Sequence, residues 1–217
     1  MNLGELRDLA RTKLDDKVEP YLWSDEFLNA AINRAQDEAI VRIGGIADDY
    51  TPQMTHQTAV AGSPIVVVAP NVMKVESVAT KNGLLQPVTA ATLAVSNPAW
   101  EADTGVPIKY IIGANSFRLY PTPVDDTVLT MHVRRGALTP LVADAQKPEV
   151  PYSLHAPLLH WVLAEAYDLP DADISNPGAS DKHQKAFEGV FGPRPSAKFL
   201  NTWNRTPARS AALMRRL

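Results

Sequence analysis

The spacing of apolar residues changes period twice along these 217 residues, and that change limits the fold more than any other feature. Near the start, Leu3, Leu6, Leu9, Ala10 and Leu14 recur at three- and four-residue steps, one apolar stripe on a helix. Pro20 bars that helix from continuing, because it has no N–H and disfavours the helical form of Glu19. Ser24 then reads as an N-cap, with Asp25 and Glu26 in the first turn, where the helix dipole favours negative charge. Phe27, Leu28, Ala31, Ile32, Ala35, Ala39 and Ile43 form the second stripe, and Gly44-Gly45 stops it.

From about residue 56 to 136 the pattern shifts to period two and to Val, Thr and Ile. Val72–Thr80 and Leu84–Val88 read as a hairpin with a type I′ turn at Asn82-Gly83. Thr89–Val95 has room for one or two helical turns. Ile108–Ile112 and Ser116–Tyr120 flank a three-residue loop, a second hairpin. Thr127–Arg135 alternates strictly, with Leu129, Met131 and Val133 on the apolar face and Arg135 in phase with them. After Pro148 the helical period returns in Leu158, Leu159, Val162, Leu163, Ala166 and Tyr167, with Ser153 as the expected cap. Asp171–Ala179 reads as a loop, Ser180–Phe191 as a last helix, and Gly192-Pro193-Arg194-Pro195 breaks regular structure. The expected fold is α+β: an antiparallel helical bundle formed by N- and C-terminal helices (3–16, 24–43, 153–168, 180–191) around a central antiparallel β insert at 56–136. A body at 1–192 is expected to precede an extended C-terminal arm at 193–217.

Charge is divided unevenly. Six basic residues and no acidic one follow position 193, so an overall formal charge of −3 leaves −9 on residues 1–193. The tail also carries apolar and aromatic anchors. Its expected interface residues are Arg194, Lys198, Phe199, Leu200, Trp203, Arg205, Arg209, Leu213, Met214, Arg215, Arg216 and Leu217. Such a segment loses conformational entropy on ordering but can wrap a large surface. The chain has no Cys, which excludes disulfides, thiolate zinc sites and cysteine nucleophiles. The N-terminus lacks the pattern of a signal peptide, and no apolar run approaches the roughly 20 residues of a membrane span. A non-secreted protein without a membrane partner is expected.

Motifs for chemistry are missing. There is no GxGxxG, Walker loop, HExxH or GxSxG. His155 and His160 are five apart, about 140° round a helix, so they do not make an i, i+4 ligand pair. His56, His132 and His183 are scattered. The paired carboxylates Asp15-Asp16, Asp48-Asp49 and Asp125-Asp126 fall at expected turns and helix ends, where Asp bonds local backbone. No catalytic, metal or cofactor site is expected.

Several phrases carry a family likeness. Leu6-Arg7-Asp8-Leu9-Ala10-Arg11, then Trp23-Ser24-Asp25-Glu26-Phe27-Leu28 and Asn29-Ala30-Ala31-Ile32-Asn33-Arg34-Ala35-Gln36, resemble the start of tailed-phage head-to-tail adaptor (connector, neck or head-completion) proteins. Phe117-Arg118-Leu119-Tyr120-Pro121-Thr122-Pro123, the strand ending in Arg134-Arg135, Leu154-His155-Ala156-Pro157-Leu158-Leu159 and Phe187 follow in the same order. The likeness covers most of residues 1–192. It implies a non-enzymatic virion protein of the neck, assembled in the host cytoplasm. It implies a homo-oligomeric ring, usually of twelve copies, beneath the portal protein. That ring would extend the DNA channel without sequence-specific binding and offer a surface to the next neck, nozzle or tail protein. In several such adaptors a C-terminal arm orders against the portal, and the tail here occupies that position. Two other functions remain open from the residues alone: a virion-associated peptidoglycan hydrolase using a carboxylate pair, and a nucleic-acid binder using the basic tail.

Overall fold

The computed structural model describes residues 1–170 and 175–205. In chain order its elements are α1 Leu3–Leu14, α2 Asp25–Arg42, β1 Ile46–Asp48, α3 Pro52–Thr55, β2 His56–Ala59, β3 Ile65–Val67, β4 Val72–Thr80, β5 Gly83–Leu84 and β6 Gln86–Pro87. There follow α4 Ala90–Ser96, β7 Thr104–Gly105, β8 Lys109–Ile112, β9 Ser116–Tyr120, β10 Thr122–Pro123, β11 Thr127–Arg135, α5 Leu159–Tyr167, α6 Pro177–Phe191 and α7 Ala197–Arg205. The chain is α+β and separates into two compact units. The helical unit joins Met1–Ile46 to Gly136–Pro195, and the β unit joins Ala47–Arg135 to the described residues from Ser196.

In the helical unit α1 and α2 start where a side chain can take up orphan amides. Asn2 and Glu5 form a capping box on α1, with Asn2 accepting from the Glu5 amide at 2.8 Å and Glu5 from the Asn2 amide at 3.0 Å. Ser24 caps α2 through the Phe27 amide, as its position predicts. Leu3, Leu6, Ala10 and Leu14 of α1 and Leu28, Ala31, Ile32, Ala35, Ala39 and Ile40 of α2 are buried. The α1–α2 turn is fixed by one carboxylate: Asp16 accepts from Arg11 at 2.6 Å and from the Leu22 amide at 2.9 Å. Gly44 and Gly45, at φ 79° and 80°, close α2, with the Gly45 amide on the Ile40 carbonyl at 2.8 Å.

The C-terminal helices start differently from the sequence expectation. Regular helix begins at Leu159 rather than Ser153, after 3-10 turns at Tyr152–Leu154 and Ala156–Leu158, and no side chain caps it. Pro157 cannot donate the hydrogen bond that an α-helix from Ser153 would need. Conversely α6 starts three residues earlier, at Pro177, capped by Asn176 through the Ala179 amide at 3.1 Å. Pro is well suited to that first position. Ser180, the residue type of a cap, is buried, and its hydroxyl donates to the Ala164 carbonyl of α5 at 2.9 Å. Of the expected loop at 171–179, residues 171–174 lie outside the described residues.

The β unit is not a single antiparallel sheet. Its strands form three sheets, ordered β1-β11-β4-β5 with β2 also on β11, β3-β9-β8-β6, and β10-β7. The β6–β8 and β10–β7 pairs are parallel. The first hairpin pairs Thr80 with Gly83, so its turn residues are Lys81 and Asn82, one earlier than expected. The strand expected at Leu84–Val88 is divided between two sheets. Leu85 is buried, and Pro87, with no N–H, ends up in the parallel edge pairing. The β8–β9 hairpin forms as read, Ile112 opposite Phe117. Val75, Val78, Tyr110, Phe117, Leu119, Leu129, Met131 and Val133 share one apolar core. Tyr110 and Phe117 meet edge to face at 6.0 Å, and burial pushes the Tyr110 phenol up to about 12.

An extended arm is also corrected in part, because Ala197–Arg205 is the helix α7, beside β4. Ser196 nucleates it: its hydroxyl accepts from the Phe199 amide at 3.1 Å and its carbonyl from the Leu200 amide at 3.0 Å.

Candidate functional site

The uneven charge directs attention to where the basic segment leaves the helical unit. Helix α6 ends at Gly192, whose φ of 85° only glycine adopts without strain. Its carbonyl accepts from Arg42 Nη1 at 2.8 Å. Arg42 is the last residue of α2, with its side chain only 5% exposed. The same guanidinium donates to Glu38 at 3.0 Å and lies 4.9 Å from the Phe187 ring centroid. Arg194, two residues on, reaches the same Glu38 carboxylate at 3.4 Å, while its own side chain stays 72% exposed. One arginine and one glutamate of α2 thus hold Gly192 and Arg194 at the end of the helical unit.

The reason this root is rigid lies in the aromatic packing beneath it. Phe187 and Phe191, one helical turn apart on α6, meet at a tilt of 35° with centroids 4.4 Å apart and are buried. Trp161 of α5 packs on Phe187 at 5.3 Å and donates its indole N–H to Glu165 at 2.7 Å. Glu165 is in turn gripped by Arg34, with Nε at 2.9 Å. A cavity of about 250 Å³ opens here, lined by Arg42, Trp161, Glu165, Gln184, Glu188 and Arg194. Its charged groups are of both signs, and Arg42 and Glu188 approach each other at 3.8 Å across it.

The expected interface residues fall into three groups. Arg194 belongs to the root just described. Lys198 and Phe199 are exposed on α7, Phe199 at 57%, and Leu200 is half-buried. Trp203 and Arg205 lie within the α7 span, but their side chains, and Arg209, Leu213, Met214, Arg215, Arg216 and Leu217 entirely, lie outside the described residues. Arg42 and Glu38 were not singled out from the sequence. The only signal available was the i, i+4 Glu–Arg spacing at the end of α2, a pattern that ordinarily marks a solvated helix face.

One carboxylate of each pair, Asp16, Asp48 and Asp126, has a structural partner. Asp15 takes the left-handed residue after α1 at φ 57°, and Asp16 holds Arg11. Asp48 is buried and receives Arg135, the Thr51 hydroxyl at 2.7 Å and the Thr51 and Tyr50 amides. Burial opposes its ionisation, but these donors together hold the carboxyl well below the usual carboxylate range. Asp126 accepts from the Ala61 amide at 2.9 Å. His155 is buried and bonds the Val150 carbonyl at 2.9 Å. Among the described residues no group of three His, Cys, Asp or Glu is placed to hold a metal ion, and no helix is long and apolar enough to cross a membrane.

Comparison with known families comes to one finding. Residues 1–211 match the family model described as SU10 adaptor protein. No curated protein matches the chain.

Proposed function

This chain belongs to the SU10 adaptor protein family, a family of phage head-to-tail adaptors, and from that premise we propose that twelve copies form a ring beneath the portal. The coarse role, a structural component of a phage virion, follows from membership. The finer reading is that the ring extends the DNA channel, carries the next tail or neck protein below, and docks on the portal above through residues 193–217. A ring of this kind uses a heterologous interface, in which each copy meets the next with different faces and closure sets the copy number. A formal charge of −9 on residues 1–193 suits a channel that lets DNA pass without gripping its phosphates.

The observation that carries the docking reading is the root. A segment with six cations and no acid leaves the helical unit through a carbonyl held by a buried arginine, and its first helix exposes Phe199. Aromatic and Arg anchors of that kind are typical of protein interfaces. Mass photometry of the protein with and without portal tests it. The full chain should load the portal with a ring, and a chain ending at Gly192 should load it at least tenfold more weakly. Equal loading by the truncated chain would refute the docking role.

A further inference from the structure

We propose that His160 of α5 and His183 of α6 form a proton-operated latch that holds α6, and with it the root of the C-terminal segment, on α5. The two rings meet Nδ1 to Nδ1 at 3.0 Å, with centroids 5.3 Å apart. A hydrogen bond between two imidazole nitrogens needs one donor and one acceptor. The pair therefore holds when both rings are neutral, in complementary tautomers, or when one proton is shared. It cannot hold when both are cations, because two N–H groups then face each other. The Tyr167 ring of α5 stacks parallel to His183 at 6.0 Å, which keeps the imidazole from swinging away to relieve that repulsion.

The surroundings bias the pair toward neutrality. Both rings are half-buried, and burial is the first cause that lowers their proton affinity. Lys13 of α1 opposes protonation of both, and His160 and Lys182 further oppose it at His183. Because folding disfavours the charged form, the unfolded chain binds more protons just below the ordinary histidine value of about 6.5. The stability the pair contributes is therefore complete above that pH and falls as the pH drops beneath it. The element it holds matters: α6 is bound to α5 by the Ser180–Ala164 hydrogen bond and the Phe187–Trp161 contact, and it ends at the carbonyl that Arg42 grips.

The test uses the full chain and does not depend on portal docking. Imidazole C–H resonances followed from pH 8 to 5 should show the two rings titrating in a coupled manner, the second proton entering well below the ordinary histidine range. Hydrogen exchange, corrected for intrinsic rate, should show α6 amides keeping their protection while the pair holds no proton or one, and losing on the order of tenfold only as the second proton enters, while α2 amides hold theirs. His183→Gln, which can still bond but cannot charge, should remove that pH dependence. Independent titration at ordinary values, constant α6 protection, or an unchanged pH dependence in His183→Gln would each overturn the latch. If that variant fails to fold, the titration of the unaltered protein still decides.

Discussion

The two units are joined internally by different forces. The helical unit is laced by polar contacts between residues far apart in sequence. Arg7 holds Asp144 through two bonds of 2.9 Å, Asn33 exchanges two bonds with Leu141, and Gln36 receives the Glu149 amide at 2.8 Å. The β unit instead encloses one contiguous apolar core, with the Arg135–Asp48 ion pair buried at one end of β11. An apolar core fixes which face of each strand is buried, whereas directional bonds between distant residues tie particular loops to particular helices.

That contrast can be broken by substitution, beginning with the largest effect. Phe117→Ala, at a fully buried β9 position, should cost about 3–5 kcal/mol in denaturant unfolding. Exchange protection in α1 and α2 should be kept, and collapse of both units together would contradict their separate cores. Arg135→Met alone leaves Asp48 charged and buried without its partner and should cost about 3 kcal/mol. Adding Asp48→Leu should restore most of that loss, since an apolar pair of similar volume replaces the ions; a double variant as unstable as the single would show that the pair is indispensable. Arg42→Met should cost about 2 kcal/mol by freeing the Gly192 carbonyl and leaving Glu38 short of a donor, and should raise exchange at residues 188–195. Ser24→Ala should cost about 1 kcal/mol and fray the first turn of α2 only.

Acid should separate the units as well. The Asp48 carboxyl is held below the usual range, so its contribution is present above the unfolded value of about 3.9 and is lost as pH falls beneath it. Circular dichroism and exchange during acid titration should therefore find α6 loosening as the second histidine proton enters, below the ordinary histidine range, while β11 holds until below about pH 4. Loss of β11 protection before α6 would reverse the assignment.

How far the chain could be read in advance follows the same division. The α1–α2 hairpin was legible because Pro20, Ser24 and Gly44-Gly45 act locally, each through its own backbone preference. Strand β11 was legible too, since period-two alternation put Arg135 in phase with Leu129, Met131 and Val133, and it is as buried as they are. Its partner Asp48 lies 87 residues away, and no local pattern could name it. The start of α5 was misplaced because Ser153 resembles a cap, while Pro157 decided the matter. The root of the C-terminal segment was hidden for a related reason: Arg42 and Gly192 are 150 residues apart. His183 reads as scattered, and His160 pairs in sequence only with His155, because only the packing of α5 on α6 brings His160 and His183 together. The charge of the tail was plain in the sequence, and the helix formed by Ala197–Arg205 was not, although Ser196 after Pro195 supplied the cap.

The most direct measurement is a cryo-electron-microscopy class average of the neck in particles that carry this protein. A ring of twelve copies immediately beneath the portal is expected, with density from residues 193–217 of each copy reaching up onto the portal surface. A neck without this chain, or a ring whose C-terminal segments turn away from the portal, would contradict the proposed function at its centre.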